Sequence, residues 1–303
     1  MARILVADPL ADSAMQQLMD AGLEVVVRDK ESDGPIEEQI KGFDCVIVRS
    51  ATKVTKEVID SADNLKLVVR AGVGLDNVDQ DAAKAKGVKV MNTPEAPSVS
   101  VAEMVIALMF ALSRRLTSAD SSMKNEQWEK KKLTGTELWQ KTLGIIGLGR
   151  IGYEAAKRAK ALEMTVLAYD VLDIDNACKK LGAERTDLET LLRSSDYISV
   201  HVPLLPHTQG MIGPKEFDLM KETAYVINTA RGGIVDEKAL LKALNEGKIA
   251  GAALDVFESE PLQDWSIAKH PKVIATPHIS SSTSEAQERV GSLTVDKVIA
   301  EFK

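Results

Sequence analysis

A glycine-rich turn near the middle of the chain limits its possible folds more than any other feature. Residues 142–146 have the apolar, β-branched character of a buried strand, and Gly-Leu-Gly-Arg-Ile-Gly follows at 147–152. Residues 150–162 then repeat apolar side chains at helical spacing. A strand, a GxGxxG turn and a helix in this order are typical of a dinucleotide-binding unit.

The positions of this turn have separate physical roles. We expect Gly147 to permit the tight turn, Gly149 to let the backbone approach a pyrophosphate, and Gly152 to let helix and strand pack closely. Arg150 and Ile151 open the helix, whose first N–H groups and positive dipole end attract phosphates. The turn therefore predicts a binding site for the pyrophosphate of a dinucleotide.

An acidic residue follows the next predicted strand and indicates which dinucleotide is bound. Asp170 comes directly after residues 165–169, where a carboxylate would accept hydrogen bonds from the ribose hydroxyls of adenosine. Because a carboxylate repels a 2′-phosphate, the sequence predicts NAD rather than NADP as the cofactor.

Strand-like and helical segments alternate on both sides of the turn. Short Val- and Ile-rich segments separated by helices are typical of parallel sheets covered on both faces. The sequence at 93–97, which contains two prolines, interrupts this alternation, and residues 98–124 then resemble one long helix that packs either at an interface or within a core. We expect an α/β protein with two doubly wound domains, each Rossmann-like or flavodoxin-like.

The composition excludes several classes of protein. A formal net charge of −7 disfavours nucleic acid or an anionic membrane as the main partner. The longest apolar stretch, 101–112, is too short to span a bilayer, and the N-terminus lacks the pattern of a signal peptide. Cys45 and Cys178 are far apart and are expected to be buried thiols rather than a disulfide or a metal site. We expect a cytoplasmic protein without a metal.

Three polar residues follow later predicted strands, at the sheet edge that lines the ligand crevice of such folds. Arg231 would hold a carboxylate in a bidentate fork, and His278 would take and return a hydroxyl proton. Glu260 would orient the imidazole and favour its protonated form. Each residue alone is more often a cap, an ion pair or a structural side chain, but the three together indicate the oxidation of a 2-hydroxy acid.

Four segments resemble the signatures of the D-2-hydroxyacid dehydrogenase family: residues 147–152, 228–235, 252–261 and 277–282. The resemblance covers essentially the whole chain and implies the roles given above for Arg231, Glu260 and His278. It also implies a cofactor domain inserted into a split substrate domain. The expected boundaries are 1–95 plus 284–303 for the substrate-binding domain and 96–283 for the NAD-binding domain.

The same resemblance implies cofactor contacts outside the glycine turn. Ser280 stands where the family often has glycine, and we expect its side chain to narrow the nicotinamide pocket. The further expected contacts are Val73, Val202, Thr208, Thr229, Ala230, Asp255, His278, Ser280 and Ser281.

Residues 48–55, 69–79 and 127–138 resemble the branch of the family that oxidises 3-phospho-D-glycerate to 3-phosphohydroxypyruvate at the start of serine synthesis. The backbone N–H groups around Val73 suit a substrate carboxylate, and arginines at strand ends suit a phosphate. The lysine run at 130–132 either adds positive charge to the phosphate site, from the same or a partner subunit, or is a solvated face. Lys130 stands where this branch of the family usually has an arginine. The expected substrate contacts are Arg49, Ser50, Arg70, Gly72, Val73, Gly74, Lys130, Arg231 and His278.

Other functions stay open at this point. A glyoxylate, hydroxypyruvate or D-lactate reductase would share the same cofactor and catalytic residues. An NAD-sensing binding protein, such as a corepressor, would share the fold without turnover. The family resemblance implies a homodimer or homotetramer. Because the chain ends directly after the predicted helix at residues 284–302, we expect no C-terminal regulatory domain.

Overall fold

The computed structural model describes all residues, Met1–Lys303, and these form two compact units. The first unit contains Met1–Pro97 and Ser282–Lys303, and the second contains Ser98–Ser281. The chain thus leaves the first unit after Pro97 and returns to it at Ser282, so the second unit is an insertion. Each limit differs by two residues from the boundary expected above.

The first unit is built on a parallel sheet of five short strands in the order β2-β1-β3-β4-β5. Its strands are β1 (Arg3–Val6), β2 (Glu24–Val27), β3 (Cys45–Val48), β4 (Leu67–Arg70) and β5 (Lys89–Asn92). The helices that connect them are α1 (Asp12–Asp20), α2 (Ile36–Gln39), α3 (Lys56–Ser61) and α4 (Gln80–Ala85). The strand order reverses between β1 and β3, and such a switch point opens a crevice at the carboxyl ends of the strands.

The second unit contains a parallel sheet of seven strands in the order β12-β11-β10-β9-β6-β7-β8. Its strands are β6 (Thr142–Ile146), β7 (Thr165–Tyr169), β8 (Glu184–Arg185), β9 (Tyr197–Val200), β10 (Tyr225–Asn228), β11 (Gly251–Leu254) and β12 (Val273–Ala275). The order reverses between β6 and β9, so the glycine-rich turn after β6 lies at the switch point of this sheet.

Helices cover both faces of the second sheet. They are α5 (Ser98–Ser113), α6 (Leu116–Lys124), α7 (Arg150–Ala161), α8 (Asp175–Leu181), α9 (Leu188–Ser194), α10 (Pro214–Leu219) and α11 (Glu237–Glu246), with a 3₁₀ turn at Lys130–Lys132. The last helix, α12 (Ser284–Phe302), belongs to the first unit and packs on α1. Gly291 permits this packing, because a Cβ there would lie 2.9 Å from Cβ of Ala14.

The expectation of one helix over residues 98–124 is wrong. Helix α5 ends at Ser113 and α6 begins at Leu116, with Arg115 in the left-handed region at φ 51°. The cause lies in a later segment: the carbonyl of Ser113 accepts the backbone N–H of Thr136 at 2.9 Å. Because this carbonyl already accepts a hydrogen bond from another segment, it cannot accept one from the next helical turn. The helix therefore ends here, although the local sequence contains no glycine or proline.

The predicted class, two doubly wound α/β domains with parallel sheets, is confirmed by the strand pairing of both sheets. Cys45 and Cys178 are buried and free, as predicted, and burial raises the pKa of both thiols. No group of three or more His, Cys, Asp or Glu side chains is arranged to hold a metal ion. None of the helices combines the length and the apolar character that crossing a bilayer requires.

Candidate active site

Two glycines of the turn after β6 are required by close packing. Gly147 has φ 93°, and a Cβ there would lie 2.9 Å from both the carbonyl carbon of His201 and Cγ1 of Val202. A Cβ on Gly152 would lie 2.2 Å from the carbonyl oxygen of Gly147. The turn therefore packs against the end of β9 on one side and against the first turn of α7 on the other.

Gly149 differs from these two, because a Cβ there would meet no atom within 4 Å. It has an extended conformation and precedes Arg150 and Ile151 in the first turn of α7. The side chain of Arg150 is exposed. Packing does not require glycine at this position, but a bare backbone lets an anion approach the N–H groups at the N-terminus of α7.

Asp170 links the end of β7 to the glycine turn. Its Oδ2 accepts the backbone N–H of Leu148 at 2.9 Å, and its Oδ1 accepts the backbone N–H of Leu172 at 3.0 Å. Each carboxylate oxygen keeps one further acceptor site, which is what two ribose hydroxyls need. The residues present at this end of the sheet therefore fit an NAD molecule.

The loop after β9 contains two further expected cofactor residues. Val202 is half-buried beside Gly147. The hydroxyl of Thr208 donates to the carbonyl of Pro203 at 2.6 Å and accepts the backbone N–H of Leu205 at 2.8 Å. Thr208 thus shapes this loop from within, so its effect on a cofactor would be exerted through the loop backbone.

The turn after β10 presents Arg231. The amide of Asn228 accepts the backbone N–H of Ala230 at 3.0 Å and donates to the carbonyl of Arg231 at 2.8 Å. Thr229 is buried in the same turn, and its hydroxyl has no hydrogen-bond partner. We did not predict Asn228 as a site residue, although an asparagine at a strand end is a recognisable turn former.

A close backbone contact brings the turn that carries Arg231 next to the loop that carries Glu260. A Cβ on Gly232 would lie 1.9 Å from the carbonyl oxygen of Phe257, so only glycine fits there. The backbone N–H of Phe257 in turn donates to Oε1 of Glu260 at 3.1 Å. Arg231 lies close enough to Glu260 to stabilise its ionised form.

Glu260 and His278 form a direct pair. Nδ1 of His278 lies 2.7 Å from Oε2 of Glu260, and both side chains are about one-third exposed. Burial alone would raise the pKa of Glu260, but hydrogen bonds from His278 and Phe257 outweigh it and lower this pKa. With Nδ1 occupied by a carboxylate, Nε2 is the imidazole nitrogen that remains for a substrate.

Asp255 holds the loop on which His278 lies. Its buried carboxylate accepts the hydroxyl of Thr276 at 2.6 Å and the backbone N–H groups of Ile279 at 2.9 Å and Ser280 at 2.8 Å. His278 itself adopts φ 53°, a left-handed conformation that this network fixes. Asp255, expected to contact the cofactor, therefore also shapes the loop that carries His278.

Ser280 and Ser281 follow on the same loop. Ser280 is 4% exposed, and its hydroxyl has no hydrogen-bond partner, whereas Ser281 is partly exposed.

The expected substrate residues of the first unit follow neighbouring strands. Arg49 and Ser50 come directly after β3, and Arg70 is the last residue of β4. Burial lowers the pKa of Arg49, while the nearby carboxylate of Asp8 opposes this change. Parallel strands end at one edge, so the structure brings these residues together in the first unit.

Gly72 allows the Arg70 side chain to fold over the loop after β4. Gly72 has φ 149°, and a Cβ there would lie 1.6 Å from Nη1 of Arg70. The carbonyl of Val73 accepts Nδ2 of Asn92 at 2.5 Å, which fixes the loop whose N–H groups we expect to bind a carboxylate. Val73 and Gly74 are partly exposed.

The lysine run lies in the second unit, on the exposed 3₁₀ turn Lys130–Lys132. Lys132 pairs with Glu129 at 2.6 Å, so this member of the run has an intramolecular partner. His201, which follows β9, forms a hydrogen bond to Ser199 at 2.9 Å through Nε2. Burial lowers the pKa of His201 to about 4, which keeps this ring neutral.

Comparison with known proteins gives the family directly. Residues 106–280 match the family model described as "D-isomer specific 2-hydroxyacid dehydrogenase, NAD binding domain". The chain is 47% identical over 298 residues to D-3-phosphoglycerate dehydrogenase of Archaeoglobus fulgidus, covering 98% of this chain and 56% of that protein. The corresponding enzyme of Bacillus subtilis is 43% identical over 299 residues, covering 99% and 57%. The chain thus spans about half the length of the curated relatives it matches.

Solved structures agree in fold over nearly the whole chain. The TT0316 protein from Thermus thermophilus superposes with a TM-score of 0.89 at 32% identity, covering 99% of this chain and 97% of that one. D-Lactate dehydrogenase from Aquifex aeolicus, in complex with NAD and lactic acid, gives a TM-score of 0.87 at 34% identity, covering 99% and 95%.

Proposed function

Because the chain belongs to the D-isomer specific 2-hydroxyacid dehydrogenase family and carries its NAD-binding domain, we propose that it oxidises 3-phospho-D-glycerate to 3-phosphohydroxypyruvate with NAD, the first step of L-serine biosynthesis. The observation that carries the chemistry is the His278–Glu260 pair, 2.7 Å apart, on loops adjoining the turn of Arg231. The names of the curated relatives support the choice of substrate.

His278 acts as the acid–base group in this proposal. Since Nδ1 donates to Glu260, Nε2 accepts the proton of the substrate hydroxyl during oxidation and returns it during reduction. The carboxylate of Glu260, which remains ionised because its pKa is lowered, stabilises the imidazolium that forms. Asp255 keeps the ring in place through the backbone of residues 279 and 280.

Arg231 binds and polarises the substrate. Its guanidinium is planar and can bind a carboxylate through two parallel hydrogen bonds. The turn that carries it is held by Asn228 and by the contact between Gly232 and Phe257. A fixed guanidinium orients the C2 hydroxyl towards His278 and polarises the carbonyl oxygen in the reverse reaction.

The second unit supplies the cofactor site. When bound, NAD supplies the acceptor for the hydride that leaves C2 of the substrate. Gly149 and the N-terminus of α7 would bind the pyrophosphate, and Asp170 the adenosine ribose. The unpartnered hydroxyls of Thr229 and Ser280 are the polar groups available near the catalytic loops, and we assign them to the nicotinamide end.

The first unit supplies the phosphate and carboxylate contacts in this proposal. Arg49 and Ser50 follow β3, and Arg70 is the last residue of β4. These three residues would receive the phosphate, while the loop at Val73 would receive the carboxylate. Lys130 is exposed and can add charge only as a flexible point charge.

A panel of 2-hydroxy acids tests the proposal, with NADH formation as the measurement. We expect 3-phospho-D-glycerate to give the highest kcat/KM and NAD to be strongly preferred over NADP. Equal rates with D-glycerate or D-lactate, or faster reduction of glyoxylate, would favour the alternative of an unphosphorylated-acid reductase. Tight NAD binding without turnover of any acid would favour an NAD sensor of the corepressor type.

We also infer that the protein is a homodimer or homotetramer. Six of the fifteen large apolar side chains that are exposed lie between residues 99 and 139. They are Val99, Phe110, Leu116, Met123, Trp128 and Trp139. Such a concentration on α5, α6 and the segment after them suits burial against a second copy. We keep the cytoplasm as the expected compartment, since both cysteines are free buried thiols.

A further inference from the structure

Asp8 lies at the switch point of the first sheet, two residues beyond β1, and holds the turn that contains Arg49 and Ser50. Its Oδ2 accepts the backbone N–H of Arg49 at 2.6 Å and that of Thr52 at 3.1 Å. Its Oδ1 accepts the hydroxyl of Thr52 at 2.7 Å. Asp8 is only 2% exposed, so this turn, residues 49–52, is fixed from its N–H side by a buried carboxylate.

Asn77 holds the same turn from its carbonyl side. Its Nδ2 donates to the carbonyl of Arg49 and to the carbonyl of Thr52, each at 2.6 Å. Asn77 belongs to the segment that follows β4 and contains Gly72 and Val73. One side chain thus ties the segment expected to bind phosphate to the segment expected to bind carboxylate.

Lys30 compensates the charge of Asp8. Its Nζ lies 2.6 Å from Oδ1, and the lysine side chain is 41% exposed while that of Asp8 is 1% exposed. An uncompensated carboxylate beside Arg49 would cancel the attraction of that guanidinium for an anion. With Lys30 in place, the group formed by Asp8, Lys30 and Arg49 keeps a net charge of about +1.

We infer that Asp8, Asn77 and Lys30 are positioning residues for the phosphate group of the substrate. Asp8 and Asn77 fix the backbone of residues 49–52, and Lys30 prevents the carboxylate of Asp8 from repelling the anion. The inference rests on the proposed function and adds to it three residues that act through Arg49 and Ser50. A purely structural role would instead change the stability of the first unit without discriminating between substrates.

The experiment compares the variants D8N, N77A and K30M with the control D44N. Asp44 accepts the backbone N–H of Arg3 at 2.9 Å and Nζ of Lys66 at 2.9 Å, so it has the same kinds of partner as Asp8. It precedes β3, however, whereas Arg49 follows β3. Kinetics with 3-phospho-D-glycerate and with D-glycerate, NAD affinity and thermal stability are measured for each protein.

We expect D8N and N77A to raise KM for 3-phospho-D-glycerate about tenfold, because each would displace Arg49 and weaken its charge-assisted contact with the phosphate. The values of kcat and the affinity for NAD should stay unchanged. KM for D-glycerate should change by less than about twofold in D8N. N77A also releases the segment that contains Val73, so it should raise KM for D-glycerate as well, but by less than KM for the phosphorylated acid. D44N should lower the melting temperature without altering the ratio of the two KM values. K30M should raise KM for the phosphorylated acid more in the wild-type background than in the D8N background, where no carboxylate remains to be neutralised.

Two failures are distinguishable. If the wild-type enzyme itself does not prefer the phosphorylated acid, the proposed substrate is wrong and the positioning role falls with it. If the wild type prefers it and that preference survives in D8N, N77A and K30M, only the positioning role is overturned. Should D8N not fold, N77A and K30M provide the same test, since both retain Asp8.

Discussion

Single side chains at the candidate acid–base site depend on contacts from several strand ends. His278 adopts a left-handed conformation that histidine rarely uses, and Asp255, after β11, stabilises it through three hydrogen bonds. Glu260 reaches Nδ1 of His278 because the backbone N–H of Phe257 orients its carboxylate. The roles of these residues stay predictions, which single substitutions can test.

Replacing His278 by alanine should lower kcat about 10²- to 10⁴-fold, because the substitution removes the group that accepts the substrate proton. The affinity for NAD, measured by fluorescence titration, should fall much less than kcat, because the glycine turn and Asp170 supply other expected NAD contacts. His270→Ala is the control, since His270 accepts the backbone N–H of Lys272 and lies outside the catalytic loop. Wild-type turnover by the His278 variant would show that another group transfers the proton.

Asp8 should make the first unit sensitive to acid. Burial opposes its ionisation, but hydrogen bonds from Lys30, Arg49 and Thr52 outweigh burial and lower its pKa. A carboxyl whose pKa is lower in the folded state than in the unfolded state stabilises the fold when it is ionised. This stabilisation is fully present above the unfolded-state pKa of about 3.9, and it is lost as the pH falls through the folded-state pKa. The free energy of unfolding of the wild type should therefore fall more steeply than that of D8N below about pH 4. Parallel curves from urea titrations would contradict this assignment.

At the level of helices and strands, most of the expected segments occur where hydrophobic periodicity places them. Strands β6 and β7 match the expected limits, and the strands of both sheets pair in parallel. Strand β8 was not anticipated, because its two exposed residues, Glu184 and Arg185, carry no apolar signal. The break between α5 and α6 was missed because the residue that terminates α5, Thr136, is more than twenty positions away in the sequence.

Two glycines of the turn, Gly149 and Gly152, should respond differently to alanine substitution. Gly149→Ala should leave the free energy of unfolding within about 1 kcal/mol of the wild type, because its Cβ meets no atom within 4 Å. It should nevertheless weaken NAD binding, because the methyl group occupies the approach to the N-terminus of α7. Gly152→Ala should lower the free energy of unfolding by at least about 1–3 kcal/mol, since its Cβ would lie 2.2 Å from a carbonyl oxygen. Equal stability losses in the two variants would contradict these separate roles.

On the scale of the whole molecule, a net charge of −7 makes the surface unfavourable for an anionic substrate. Binding of the proposed phosphorylated acid would therefore depend on local cationic groups, and the ends of β3 and β4 carry Arg49 and Arg70. The formal charge of the chain does not reveal such a cluster, because the cluster depends on where parallel strands end.

Assembly is the property of the whole molecule that the exposed apolar side chains predict. Light scattering should give a mass of at least twice the 32.8 kDa of one chain. Phe110→Lys and Met123→Lys should shift the protein towards the monomer, because a buried lysine opposes association. Val27→Lys, on the exposed edge strand β2, is the control and should leave the mass unchanged. A wild-type monomer would overturn the proposed homodimer.

The amino-acid sequence alone determined the α/β class, the parallel sheets and the NAD-binding unit. Hydrophobic periodicity and the GxGxxG turn act within about thirty residues and need no distant partner. The matching family model and the strand pairing confirm those predictions. Only the tertiary structure decided which side chains support the predicted site residues. Asp8 holds Arg49 across 41 positions of the chain, and Asp255 holds Ser280 across 25. Hydrogen bonds of this kind follow from which strands end side by side, and no local pattern in the sequence records that arrangement.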